Sequence, residues 1–284
     1  MLDRYDELYS SFRWDVPERY NIARACCGQW AADASRVALY WEDESGAAAT
    51  HSFSDIQLAA NRLSNGLAAL GVKRGDRVAI VLPQRPETAI AYMAVFQMGA
   101  IALPLSHLFG PDALEYRINH AEATVAIVEP ATIANLWAIK GRLATLKHVI
   151  GVAGANESGV HGWESLLSKA KSTFEIQDTS ADDPALIIYT SGTTGAPKGA
   201  LEAHRLLIGN LSGFVHSHDF FRSRAMSSGR RRTGPGPGDC STRCFPPGRS
   251  ACRSSATAAG STPSARTTCS RNTASATRSC FRPP

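Results

Sequence analysis

From Arg222 to Pro284 the chain contains no Lys, Leu, Ile, Val, Trp, Tyr or His, and a single acid, Asp239. A segment with so little to bury cannot offset the entropy of ordering its backbone, so a packed domain is excluded there and a disordered tail is expected over 222–284. Ahead of it, different features are missing. No apolar run reaches the roughly twenty residues of a membrane-spanning helix. The most apolar stretch, Ala89 to Leu105, is interrupted by Gln97, Gly99 and Pro104, which fits a buried helix, a glycine stop and a buried strand. Residues 1–221 carry two cysteines, the adjacent Cys26 and Cys27, and the charged opening Met1-Leu2-Asp3-Arg4 lacks the pattern of a secretory signal. The expected compartment is a reducing cytoplasm.

The net charge divides at the same point. Twelve Arg against one acid give the tail +11, whereas residues 1–221 hold 18 basic and 24 acidic side chains, or −6; together these make the formal +5. The basic balance thus belongs to the tail alone. An Arg/Ser-rich arm that meets nucleic-acid phosphates is one reading of it, and an α/β nucleotide-binding module with such an arm is the competing account of the whole chain. Cys240-x-x-x-Cys244 resembles half a zinc site, but with no histidine in the tail and irregular spacing elsewhere, no metal site is expected. His216-x-His218 lacks a third ligand and is set aside for the same reason. His107, His120 and His204 are expected to cap helices or lie on the surface, and Tyr189 and Trp137 to be core.

What is present is clearest at Thr190-Ser191-Gly192-Thr193-Thr194-Gly195-Ala196-Pro197-Lys198-Gly199. It follows Ala185-Leu186-Ile187-Ile188-Tyr189, an apolar run that reads as a buried strand, so a loop of small residues leaves the end of a sheet. Glycines let successive N–H groups turn toward one anion, Thr and Ser hydroxyls add donors, and Lys198 adds a positive charge. The spacing is not G-x-x-x-x-G-K-[ST], so the loop of nucleoside triphosphatases is a poor match.

Residues 1–20 read as an arm over the domain surface. A helix is expected from Ile22 to Ala32, a strand at Val37 to Trp41, and a helix opened by a capping box at Ser54 and Gln57 and closed at Gly71. Strand Arg77–Leu82, helix Pro86–Met98, strand Ala100–Leu103, helix Pro111–His120, strand Thr124–Val128, helix Pro130–Leu143, strand Lys147–Val152 and helix Trp163–Lys171 follow. Helix and strand alternate with short connections, so the fold class is α/β, a parallel sheet with helices on both faces. In such sheets ligands sit beyond the carboxyl ends of the strands, where Thr190 to Lys198 falls. The domain organisation is an arm over 1–20, an α/β unit over 21–221 and the tail.

The stretch from Tyr189 to Gly199 resembles the phosphate-loop signature of the adenylate-forming (AMP-binding) enzymes, which include acyl-CoA synthetases, firefly luciferases and peptide-synthetase adenylation domains. Gly75-Asp76-Arg77-Val78-Ala79 and Leu82-Pro83-Gln84-Arg85-Pro86-Glu87 resemble the small- and medium-chain acyl-CoA synthetase branch, as do Tyr5-Asp6-Glu7-Leu8-Tyr9 and Phe12-Arg13-Trp14. The resemblance implies that ATP, Mg2+ and coenzyme A are used to activate a carboxylic (fatty) acid as its acyl-adenylate and pass it to a thiol. It further implies that Thr190, Ser191, Thr193 and Thr194 donate to the β- and γ-phosphates, that Gly192 and Gly195 admit the backbone, and that Lys198 follows the departing pyrophosphate. The family's adenine loop with its metal-binding Glu, its ribose-binding Asp and its carboxy-terminal lysine have no match in this chain, so little or no ligase activity is expected of it.

The tail fits a shifted reading frame. Thr233 to Cys240 can be encoded ACT GGG CCT GGA CCG GGG GAC TGC; moved back one base behind a G, this reads Asp-Trp-Ala-Trp-Thr-Gly-Gly-Leu, a segment the family carries at this point. The same shift lets Arg222 to Ser228 and Ser254 to Ser264 recover further family-like stretches, which places the loss of frame at Phe221/Arg222.

Overall fold

The apolar runs become strands of one sheet because both of their faces are covered. A computed structural model of the chain describes residues 4–43, 45–155, 157–190, 195–217, 227–230 and 253–258. At the amino end lie helices α1 (Arg4–Ser11) and α2 (Ile22–Cys26), then the hairpin β1 (Val37–Asp43) and β2 (Ala48–Ser52). Next come α3 (Phe53–Ala69), β3 (Arg77–Val81), α4 (Pro86–Gln97), β4 (Ile101–Pro104), α5 (Pro111–His120), β5 (Val125–Val128) and α6 (Pro130–Trp137). The series continues with β6 (His148–Gly151), β7 (Val160–Gly162), α7 (Trp163–Lys169), β8 (Pro184–Thr190), β9 (Lys198–Ala203) and α8 (Leu206–Ser217).

Seven strands form the main sheet in the order β7-β6-β5-β3-β4-β8-β9. All its pairings are parallel except the last, in which β9 runs antiparallel to β8 at the edge. Alternation along the strands divides the core in two. Val78, Ile80, Val125 and Ile127 face a cluster with Leu63 and Leu67 of α3 and Phe96 of α4. Ala79, Val81, Ala126 and Val128 face the opposite cluster with Leu114 and Ile118 of α5 and Ile133 and Leu136 of α6. All fifteen of these side chains but Ile80 and Ile133 are wholly out of solvent, and each large aliphatic one contributes about 1.5–3 kcal/mol of transfer free energy. Helices on both faces of a mostly parallel sheet are what the alternation predicts.

Buried polar side chains inside the first core are linked to one another, with Gln57 Oε1 left without a partner. Gln57 Nε2 donates to Gln97 Oε1 at 2.8 Å, Gln97 Nε2 to Ser64 Oγ at 2.6 Å, and Ser64 Oγ lies 3.0 Å from the Ala94 carbonyl. This chain locks α3 to α4, since breaking it would strand a buried amide at a cost of about 1–3 kcal/mol.

Several boundaries differ from the sequence expectation. The capping box of α3 is Ser52 with Asp55, two residues early: the Asp55 N–H donates to Ser52 Oγ at 3.1 Å, and the Ser52 N–H to Asp55 Oδ2 at 2.8 Å. The earlier start buries Phe53 and releases Gln57 from cap duty to reach Gln97. Helix α2 stops at Cys26 and gives way to a 3-10 turn at Gly28–Trp30, and α6 stops at Trp137 ahead of a second such turn at Lys140–Arg142. Two pieces of the tail, β10 (Ser227–Arg230) and β11 (Arg253–Ala258), stand as strands where no order is expected; β11 pairs parallel with β1 and β10 with β11. Strand addition at an edge uses main-chain groups, so a Ser/Ala stretch with nothing to bury can still join. The rest of the tail lies outside the described residues. Among those described, no helix is long and apolar enough to cross a membrane.

Candidate functional site

Strand β8 delivers Thr190 to the carboxyl end of the sheet, and β9 returns alongside it, so Thr190 and Lys198 sit directly opposite one another. Both are exposed. The loop is therefore the bend of an antiparallel hairpin, whereas the sequence shows only a loop leaving a strand. Gly195 has φ +97°, in the left-handed region that a side chain resists, which is why a glycine stands at this bend. Ser191, Gly192, Thr193 and Thr194 lie outside the described residues, so the structure brings together Thr190, Gly195 and Lys198 of the expected set.

Helix α5 packs across the stem of this hairpin. The Tyr116 hydroxyl donates to the Pro197 carbonyl at 3.0 Å. His120 Nδ1 and the Tyr189 hydroxyl share a hydrogen bond of 2.6 Å, and the rings of Tyr116, His120 and Tyr189 meet in stacked and edge-on pairs 5.4–6.3 Å apart. Tyr189 lies across from Gly199, where a Cβ would come within 3.2 Å of its ring and of the Ile187 methyl, a tight fit that favours glycine. Burial, with Tyr116 adding to it and Arg117 opposing, pushes the Tyr189 phenol up to about 12. It stays protonated at any working pH. The Arg117 guanidinium lies 4.3 Å over the Phe109 ring, with Nε buried and unpartnered, and burial lowers its pKa. Tyr189 is thus more than core filler, and Tyr116, Arg117 and His120 have no signature in the sequence that would single them out.

Two further side-chain pairs lie at the carboxyl ends of the strands. Arg85, after β3, holds Glu87 through two bonds of 2.7 and 2.9 Å, and His107, after β4, lies 3.0 Å from Glu129, after β5. His204 is not a surface residue, and the helix end it serves is the distant amino end of α2. It is fully buried at the end of β9, where its Nδ1 accepts the Ile22 N–H at 3.2 Å and ties α2 to the hairpin.

Comparison with known proteins now decides the family, because a model of the AMP-binding enzyme family matches residues 28–229. The chain belongs to the AMP-binding enzyme family. The match to these adenylate-forming enzymes covers all of the main sheet and ends shortly after the composition breaks at Arg222. Among curated relatives of this AMP-binding chain, an uncharacterized acyl-CoA ligase, YtcI of Bacillus subtilis, is 35% identical over 193 residues, covering 66% of this chain and 35% of the relative. The acetyl-coenzyme A synthetase of Bacillus subtilis is 31% identical over 221 residues, covering 73% and 38%. The chain thus spans little more than a third of the length of these relatives. Among solved structures, the anthranilate CoA ligase AuaEII in complex with anthranoyl-AMP superposes with a TM-score of 0.66 at 25% identity, over 71% of this chain and 38% of that one. The Brucella canis acyl-CoA synthetase superposes with a TM-score of 0.78 at 24% identity over 92% of this chain and 49% of that one, which speaks to the fold.

Proposed function

We propose that the chain is an amino-terminal portion of an ATP-dependent acyl-CoA synthetase that activates a carboxylic acid of the fatty-acid class. In the reaction proposed for the parent enzyme, a carboxylate oxygen attacks the α-phosphorus of Mg-ATP and the bond to the β-phosphate oxygen breaks, releasing pyrophosphate. The thiol of coenzyme A then attacks the acyl carbon and AMP leaves with the electron pair of the broken mixed anhydride. What supports this reading is the hairpin that sets Thr190 opposite Lys198 at the carboxyl end of β8, in a chain whose relatives bear acyl-CoA and acetyl-CoA ligase names.

In-line attack on a phosphate calls mainly for positioning and charge neutralisation. Thr190, with Ser191, Thr193 and Thr194, supplies hydroxyl donors for the β- and γ-phosphates; Gly192 and Gly195 admit the main chain, and Lys198 balances charge on the leaving pyrophosphate. Mg2+ arrives with the nucleotide as part of the substrate. Among the described residues no three His, Cys, Asp or Glu side chains gather to hold a metal ion, and no step is assigned to one. Cys26 and Cys27 are buried thiols, in keeping with a reducing cytoplasm.

The chain spans little more than a third of its relatives' length; the part of the chemistry proposed for it is the phosphate grip, and ligase turnover is not expected from residues 1–284 alone. The sequence from Arg222 onward is proposed to be a shifted frame of the same gene. The binding test is calorimetry with ATP: wild type binds, and Lys198→Ala loses a charge-assisted contact of about 1.5–3 kcal/mol, or roughly 10- to 150-fold in affinity. Equal binding by the two chains refutes the reading. Retention on nucleic acid that falls with salt and disappears on deletion of 222–284 would favour the competing module, on the strength of the tail's twelve arginines.

A further inference from the structure

The neighbours of Lys198 on both sides are held by groups of α5 and β8. On its amino side, the Pro197 carbonyl takes the Tyr116 hydroxyl at 3.0 Å. On its carboxyl side, Gly199 is pressed beneath the Tyr189 ring, which His120 of the same helix fixes through a 2.6 Å bond. Gly199 lies opposite Tyr189 on one face of the ladder, so strand alternation turns the Lys198 side chain to the other. An edge strand has one neighbour to set its position; here that neighbour is β8, and the Tyr116 bond to Pro197 supplies a second, independent point of fixation from α5.

We propose that Tyr116 is a positioning residue for Lys198, acting through the Pro197 carbonyl to hold the first residue of β9 in place for a phosphate. The proposal rests on the reading of Lys198 as the phosphate-binding cation. Pre-setting this strand removes part of the ordering cost that a phosphate contact must otherwise overcome. A hydroxyl serves where a ring alone does not, because a carbonyl at a hairpin stem needs a donor, and proline at 197 leaves no N–H to be satisfied in turn. The ring contacts with His120 and Tyr189 keep the phenol aimed at that carbonyl.

The test uses the full chain as wild type, Tyr116→Phe, Lys198→Ala and Tyr189→Phe, with inorganic pyrophosphate as the probe and amide hydrogen exchange read without any ligand. Tyr116→Phe removes one oxygen and keeps the ring pairs, so its melting temperature stays near wild type. It weakens pyrophosphate binding about three- to tenfold and speeds exchange severalfold at residues 195–199 and not elsewhere. Lys198→Ala loses binding with exchange unchanged. Tyr189→Phe, which loses the His120 bond but keeps its ring over Gly199 and the Pro197 bond, stays within about twofold of wild type. Unchanged binding by Tyr116→Phe beside a weakened Lys198→Ala overturns the proposal alone. Equal binding by wild type and Lys198→Ala overturns the phosphate reading and the proposal with it. An equal effect from Tyr189→Phe, or a fall in melting temperature of Tyr116→Phe that accounts for its loss, assigns the cluster to general packing and likewise overturns the proposal.

Discussion

Acidification is expected to loosen the join between α2 and the end of β9 through one imidazole, that of His204. The ring is fully buried, and its Nδ1 accepts the Ile22 N–H. The neutral ring therefore carries its proton on Nε2, which is buried without a partner. A second proton would have to sit on Nδ1, turning an acceptor into a donor that faces another donor. Burial pushes the pKa down to about 4; Asp183 pulls it upward and Arg74 downward, and those two are ion-paired with each other. The unfolded chain, with a value of about 6.5, takes up the proton first. Stability is consequently whole above pH of about 6.5 and is lost as the pH falls toward 4. A difference of about 2.5 units at about 1.4 kcal/mol each gives roughly 3 kcal/mol, a large part of the 5–15 kcal/mol typical of a domain. Urea unfolding of wild type and His204→Asn between pH 7.5 and 4.5 measures it, because the Asn Oδ1 can accept the same N–H without titrating. Asp33, Asp43 and Asp55, whose pKa values are lowered by hydrogen bonds from Ser35, Ser45 and Ser52, titrate below this window and are common to both chains. The advantage of wild type over the variant is expected to shrink by most of that amount at the acid end. Parallel pH profiles would refute the reasoning.

Ser52→Ala is expected to cost about 1 kcal/mol, the usual worth of an N-cap, and Ser54→Ala almost nothing, read as shifts in the urea midpoint; the reverse order would restore the cap to Ser54. Reading the gene around codon 221 and restoring the frame found there is expected to confer pyrophosphate exchange that the present chain lacks. Exchange by the present chain, or a gene with no family-like reading in any frame, would refute the shifted-frame account.

The parallel sheet was legible because its strands are short apolar runs closed off by proline and glycine. Pro86, Pro111 and Pro130 each open their helix as expected, and Gly71 and Gly99 adopt positive φ where helices end. The capping box was found in kind but misplaced, since Ser52 and Ser54 are each followed three residues later by a side chain able to complete one; the choice was made by burial of Phe53, which local pattern does not record. Strand β9 was missed outright. Lys198-Gly199-Ala200-Leu201-Glu202-Ala203 has no period-two apolar signal, and it becomes a strand because β8 offers it a ladder. The loop's own residues announced themselves through composition. The side chains that steady it did not, because a phenol reaching a carbonyl 81 positions away leaves no trace in spacing.

The antiparallel return of β9 has a consequence for the order of biosynthesis. In a wholly parallel arrangement the partner that completes a ligand loop arrives only after a long crossover. Here Thr190 and Lys198 are eight positions apart along the chain and are partners in one antiparallel ladder. The pairing needs nothing beyond residue 203, so its closure does not depend on the frame in which the later part of the gene is read.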